Sequence, residues 1–301
     1  MTTSMHEREP LRQRHSPCVG VCKIDDATGF CLGCARTRTE VAAWTSLAEF
    51  AKGEVWTKLP ERLAKLSVRV RLLPWTPEEI AAWVTATITG CRGTWVTGMP
   101  GALAEFPCQE GGQVSAEQRE NVVLGRASDA FFRLRVHERL RAFSFTEDGP
   151  VVLGLPKAYL DLPIARTFTE LGKDRDAIDS LHVECTLFDF GLGRRCSRFC
   201  IRTGGKLVEK LRTVAGQPWS AALKELGAAI IAESPTRVVE SDLVRIEVFS
   251  PIPLADGKSP AGAHTHFLPQ YLLAGHEMPP ALAIPDFAAP MAIFYPAKPP
   301  T

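Results

Sequence analysis

Along the chain the spacing of apolar positions changes character near residue 77. Before it, in "RTRTEVAAWTSLAEFAKGEVWTKLPERLAKL", Val41 and Trp44 fall on one helical face, and Leu47, Phe50 and Val55 can line a second. That three-to-four-residue spacing is the signature of amphipathic helices. Thr37 with Glu40, and Ser46 with Glu49, each fit the capping box that starts a helix. Gly53 weakens the second helix by about 1 kcal/mol relative to Ala, and Pro60 is expected to end or kink it. Pro77 suits the first position of a third helix, "EEIAAWVTATITG".

Beyond that helix the pattern mixes periods. "GALAEF", "AFFRLRV", "LRAFSF", "PVVLGLP", "LHVECTLFDF", "RFCIRTG", "VRIEVFSPIP" and "MAIFYP" predict strands, by alternation or by β-branched and aromatic content. Residues 205–213 and 218–233 predict helices, with a short one near "LPQYLLAG". Strands and helices do not alternate regularly, so α+β is expected rather than a doubly wound or barrel fold. The expected architecture is a small, metal-stapled four-cysteine module of a hairpin plus helices, followed by a larger, irregular α+β domain. Its boundaries are a disordered tail at 1–15, the module at 16–66, a linker at 67–76 and the larger domain at 77–301.

Composition narrows the class. The 301 residues are 45% hydrophobic and 23% charged, with a formal net charge of +1, as in an ordinary soluble globular protein. Nothing global points to nucleic acid or a membrane surface. The opening "MTTSMHEREPLRQRHSP" has no apolar core of a signal peptide, and no run approaches the ~18 apolar residues of a bilayer span. A cytosolic location is expected, where thiols stay reduced and clustered cysteines suggest metal or redox chemistry.

Such a cluster is present: "CVGVCKIDDATGFCLGC" places Cys18, Cys22, Cys31 and Cys34 in two close pairs. "DDATG" is a turn with Gly29 supplying φ > 0, which folds the second pair back on the first. Four thiolates make a closed tetrahedral Zn²⁺ site; the same ligands also satisfy an iron–sulfur cluster. Paired knuckles on a short fold-back suit zinc better. About fifty residues build little core of their own, and a metal would supply folding energy.

"SPCVGVCKIDDATGFCLGCARTRTEVAAW" resembles a family of small bacterial domains of unknown function, often described as predicted iron–sulfur proteins. Ser16, Pro17, Cys18, Cys22, Gly29, Cys31, Gly33, Cys34, Arg36, Thr37, Glu40, Val41 and Trp44 carry the match, over roughly residues 16 to 66. The resemblance implies a metal-binding module with no established reaction. The larger region more faintly resembles an uncharacterised proteobacterial family ending in a His-x-His-x-x-Pro stretch, which implies no activity.

In that stretch, "GAHTHFLPQYLLAGH", three of the seven histidines fall close together: His264, His266 and His276. An H-x-H pair in an extended segment points both imidazoles one way, so they can bind a metal or serve acid/base chemistry. Glu247 and Glu277 are candidate companion carboxylates. Elsewhere, alternation makes Cys185 a core residue. Cys196 and Cys200 on a strand lie ~13 Å apart, too far for one metal. Arg194, Arg195, Arg198 and Arg202 read as a solvated edge. "TGGKL" and "GLGRRC" lack residues that a P-loop or dinucleotide fingerprint needs.

Two function classes follow. One is a cytosolic metal-binding protein whose four-cysteine module docks a protein partner. Nucleic acid is disfavoured, since Phe30 is the one aromatic available to interleave with Lys23, Arg36 and Arg38, and no small-molecule ligand is specified. The other is an enzyme, a hydrolase or oxidoreductase, with its site near His264 and His266, or an iron–sulfur redox or iron sensor at the cysteines.

Overall fold

The computed structural model describes residues 16–18, 24–66, 71–108, 113–146, 148–192, 196–253, 262–275 and 282–297. Two antiparallel sheets stack face to face. The first runs in the order β1 (Arg71–Leu72), β7 (Arg141–Ser144), β8 (Val151–Pro156), β15 (Ala288–Pro296), β2 (Gly93–Met99), β3 (Ala102–Cys108) and β14 (His264–Phe267). The second runs β4 (Ser115–Arg119), β5 (Val122–Arg126), β6 (Ala130–Arg135), β13 (Val244–Val248), β12 (Thr236–Ser241), β11 (Ser197–Thr203), β10 (Thr186–Asp189) and β9 (Thr169–Lys173). The fold is therefore α+β, as the mixed periodicity predicted. Among the described residues no helix is long and apolar enough to cross a membrane.

Between the sheets lie Trp95, Phe106, Phe132, Phe199, Val239 and Ile246, all buried. Helix α3 (Pro77–Thr89) adds Ile80, Val84 and Ile88 to this core. Its start combines Pro77 with a Thr76–Glu79 capping box, which satisfies two orphan N–H groups reciprocally. Helices α4 (Lys206–Arg212) and α5 (Trp219–Glu233) contribute Leu211, Leu226 and Ile230.

Side chains alternate across a strand, so the first sheet also carries an outer row. Phe143, Val152 and Ala288 from that row form a second core with Ala35, Trp44, Val55, Trp56, Leu59 and Leu63. The cysteine segment's helices α1 (Arg38–Ala43) and α2 (Glu49–Lys65) thus share a core with the sheet. A segment too small for its own interior borrows one. Residues 71 and 72, in the expected linker, form β1 on the sheet edge, and Leu73 N–H donates to the Ala142 carbonyl at 2.9 Å.

Local expectations fare unevenly. The Thr37–Glu40 capping box is present. The Ser46–Glu49 box is not: Ser46 Oγ donates to the Ala43 carbonyl, and α2 begins after Ala48 with no side-chain cap. Nor does Pro60 end α2, which runs through it to Lys65, because burial of Trp56, Leu59 and Leu63 holds both sides of the proline to one surface. In "LHVECTLFDF" the strand starts only at Thr186. Asp179 accepts from the Leu181 N–H at 3.0 Å and turns the chain, leaving Leu181 83% exposed and Cys185 half-buried rather than in the core.

Candidate metal centre

β14 is a four-residue edge strand, within the extended segment expected for the H-x-H pair. Its inner face is anchored by Phe267, whose ring meets those of Phe190, Phe199 and Trp219 at 5.6–5.8 Å. Its entry is pinned by Asp129, which accepts the Ala263 N–H at 2.8 Å, while Ser250 Oγ donates to the Ala263 carbonyl. A Cβ on Gly262 would lie 2.3 Å from Asp129 Oδ2, so a side chain there would have to displace the Asp129 carboxylate that holds Ala263. Pairing with β3 then sets His264 opposite Glu105 and His266 opposite Leu103. Glu105 points away from the core that Ala104 and Phe106 enter.

This register converges three donors on one point. His264 Nε2 and His266 Nε2 are 2.9 Å apart, and His266 Nε2 is 2.9 Å from Glu105 Oε1. His264 Nε2 lies 3.8 Å from Glu105 Oε2. His264 Nδ1 donates to the Gly262 carbonyl at 2.9 Å; a carbonyl can only accept, so Nδ1 carries a hydrogen and Nε2 is the ring nitrogen turned toward His266 and Glu105. A second imidazole nitrogen fixed by a backbone carbonyl is how metal-ligating histidines are oriented. At metal–nitrogen bonds of ~2.0–2.1 Å, a 2.9 Å separation subtends roughly 90° at the ion, and a small rotation opens it further. Among the described residues, this is the group of three ligand-type side chains whose donor atoms lie within 4.8 Å of one another. His264 is buried at 6% exposure, while His266 and Glu105 are partly open. The hydrogen bond from His266 foremost holds the Glu105 carboxyl below its ordinary range, against burial and with help from His264.

His264 and His266 are thus brought together, while His276 lies outside the described residues, as does Glu277. Glu247 is no companion to the histidines. It lies in the other sheet, within 2.7 Å of Arg245 Nε and 2.8 Å of Arg202 Nη1. Arg198 and Arg202, expected on a solvated edge, lie there too, Arg198 half-buried and paired with Glu240, Arg202 buried and paired with Asp174; Arg194 and Arg195 lie outside the described residues. Glu105 is the member of the candidate site that sequence reasoning missed. Its signal was one acidic residue in the apolar run "GALAEF", but its partner is 161 positions away.

In the cysteine segment, the "DDATG" turn forms as expected: Asp25 Oδ2 accepts from Thr28 N–H and Oγ at 2.8 and 2.6 Å, and Gly29 has φ 70°. Isolated bridges Ile24–Cys31 and Phe30–Thr37 follow it. Cys31 and Cys34, both buried, share a hydrogen bond that chiefly pulls the Cys31 thiol down to about 5 and pushes Cys34 up. Arg36 Nε donates to Cys34 Sγ at 3.3 Å and stacks over Trp44. Cys18 is half-buried, its carbonyl accepting from Arg141 Nη2 at 3.3 Å. Cys22 lies outside the described residues. Cys196 donates to the Pro290 carbonyl, and Cys108 is pushed up to about 12, first by burial and then by nearby Cys91.

Fold and site together define a two-sheet α+β protein with a two-imidazole, one-carboxylate group on an outer sheet face. The chain belongs to a family of unknown function, DUF6925, whose model matches residues 79–301. Residues 16–63 match a second model, that of a small cysteine-containing domain of unknown function, DUF1289. Curated relatives from Escherichia coli strain K12, Shigella flexneri and Escherichia coli O6:H1, each named uncharacterized protein YdhL, are 40% identical to this chain over 50 residues. That stretch is 17% of this chain and 62% of each relative, so the chain spans less than two thirds of their length. No solved structure matches the chain.

Proposed function

We propose that the larger domain is a divalent-metal protein whose ion is held by Glu105, His264 and His266. The observation that carries this reading is the 2.9 Å approach of the two Nε2 atoms, with His264 Nδ1 tied to Gly262. Two neutral imidazoles and one carboxylate are the donor set of open zinc sites and of non-haem Fe(II) sites. Three ligands leave coordination positions free, and an ion held so supplies Lewis-acid chemistry or an activated water. A hydrolase or oxidoreductase is therefore the reaction class this geometry supports best.

A second centre is favoured by the environment of Cys31 and Cys34. The Cys34 hydrogen bond pulls the Cys31 thiol down to about 5, which favours one thiolate, the ligand form, while Cys34 is pushed up, with Arg36 against its sulfur as the opposing positive charge. We propose that Cys18, Cys22, Cys31 and Cys34 hold Zn²⁺, or alternatively an iron–sulfur cluster, as a closed structural site.

Equilibrium dialysis against Zn²⁺ with metal analysis tests both. The His264→Ala/His266→Ala variant is expected to bind one equivalent fewer than the wild type, and so is the variant with all four module cysteines changed to Ser. Unchanged stoichiometry in the histidine variant would show that the triad is merely a hydrogen-bonded chain sharing a proton.

A further inference from the structure

We infer that the metal centre and the apolar groove beside it form one site for a small, monoanionic, oxygen-donating ligand with an apolar tail. The inference rests on the reading that Glu105, His264 and His266 hold a divalent ion. The groove, of about 260 Å³, is lined by Val96, Leu103 and Ile293, by Leu268 and Tyr271, and by Tyr295. Register makes it continuous with the triad: Leu103 is the partner of His266, Val96 the partner of Glu105, and Ile293 the partner of Val96. Directly opposed residues on one sheet face hold their Cβ atoms ~4.5–5.5 Å apart. A ligand lying over Leu103 and Val96 therefore reaches the ion without a gap.

Charge selects the head group. A divalent ion held by one carboxylate and two neutral imidazoles keeps one positive charge, which favours an oxygen donor carrying one negative charge. Among the described residues the groove lining includes no Lys, Arg, Asp or Glu, so a second charged group on the ligand would find no partner. The Thr97 hydroxyl is already spent on the Met291 carbonyl at 2.8 Å. Tyr295 brings a phenol hydroxyl to the lining of the groove, where it can donate a hydrogen bond. The volume falls below the ~300–1,000 Å³ of drug-sized sites, so the tail is a few carbons long.

The probes are acetohydroxamate and hexanohydroxamate, which share a head group and differ only in the tail, titrated calorimetrically into the zinc-loaded full chain. Hexanohydroxamate is expected to bind at least tenfold more tightly. In Leu103→Ser that advantage should fall below threefold, with zinc content and acetohydroxamate affinity unchanged; Val96→Ser gives the same readout should Leu103→Ser fail to retain zinc. Equal affinity of the two probes for zinc-loaded wild type, or no binding of either, overturns the inference while leaving the metal reading standing. Zinc uptake that does not depend on His264 and His266 overturns both.

Discussion

Replacing Arg245 by Ala is expected to lower the unfolding free energy by about 3–5 kcal/mol at pH 7, because it strands buried carboxylates. The Arg245 side chain is 2% exposed and stands among Asp174, Glu240 and Glu247, donating to Glu247 Oε1 at 2.7 Å, to Glu240 Oε2 at 3.1 Å and to Asp174. Arg202 and Arg198 complete the network, so three guanidinium groups offset three carboxylates. Removing one leaves a net negative charge where water does not reach. The pH dependence has a definite sign. In the wild type the Glu247 pKa is lowered, with Arg245 the largest favourable cause, against burial. Its contribution is therefore present above the ordinary carboxylate value and is lost as pH falls through the depressed one. In the variant that depression is relieved and protonation removes the stranded charge, so the deficit should be smaller at pH 4 than at pH 7. Urea unfolding at the two values measures it. A loss under about 1 kcal/mol at pH 7 would mean that water enters the network.

His264→Ala should weaken Zn²⁺ binding at the triad by more than 100-fold. Changing an outer partner of a metal ligand already costs about 10–100-fold, and this change removes the ligand itself. His264 is also the most buried of the three and is held through Nδ1 by Gly262. Competition with a chromophoric chelator reads the affinity, and circular dichroism should show the fold intact, since the outer face of β14 contributes nothing to the main core. Gly262→Ala should give a smaller loss of affinity, because its Cβ would push against Asp129 and tilt the carbonyl that orients His264.

How much of this was legible in the sequence depended on how local the cause was. The Thr37–Glu40 cap, the Asp25 turn, the start of α3 at Pro77, and β8 and β15 follow from neighbours within a few positions. β2 went unread: Gly93 and Gly98 interrupt its alternation, and a Cβ on Gly98 would meet the Ala102 carbonyl at 2.5 Å. β14 was not named among the strands because Gly262 and Pro269 bracket only four strand residues, and its pairing with β3 and its contacts with the Phe190, Phe199 and Trp219 rings make it one. The two histidines of the site could be named from their spacing, but Glu105 could not, because only the β3–β14 register brings it there. Arg202, Arg245, Glu240 and Glu247 alternate as solvated faces do. They are buried because residue 174 and its neighbours, distant in sequence, fold over them.

Anomalous diffraction from zinc-loaded crystals tests the central claim most directly. A metal peak is expected about 2.0–2.2 Å from His264 Nε2, His266 Nε2 and a Glu105 carboxylate oxygen. Crystals that bind zinc only at the cysteines, with the two imidazoles still in direct contact, would contradict it.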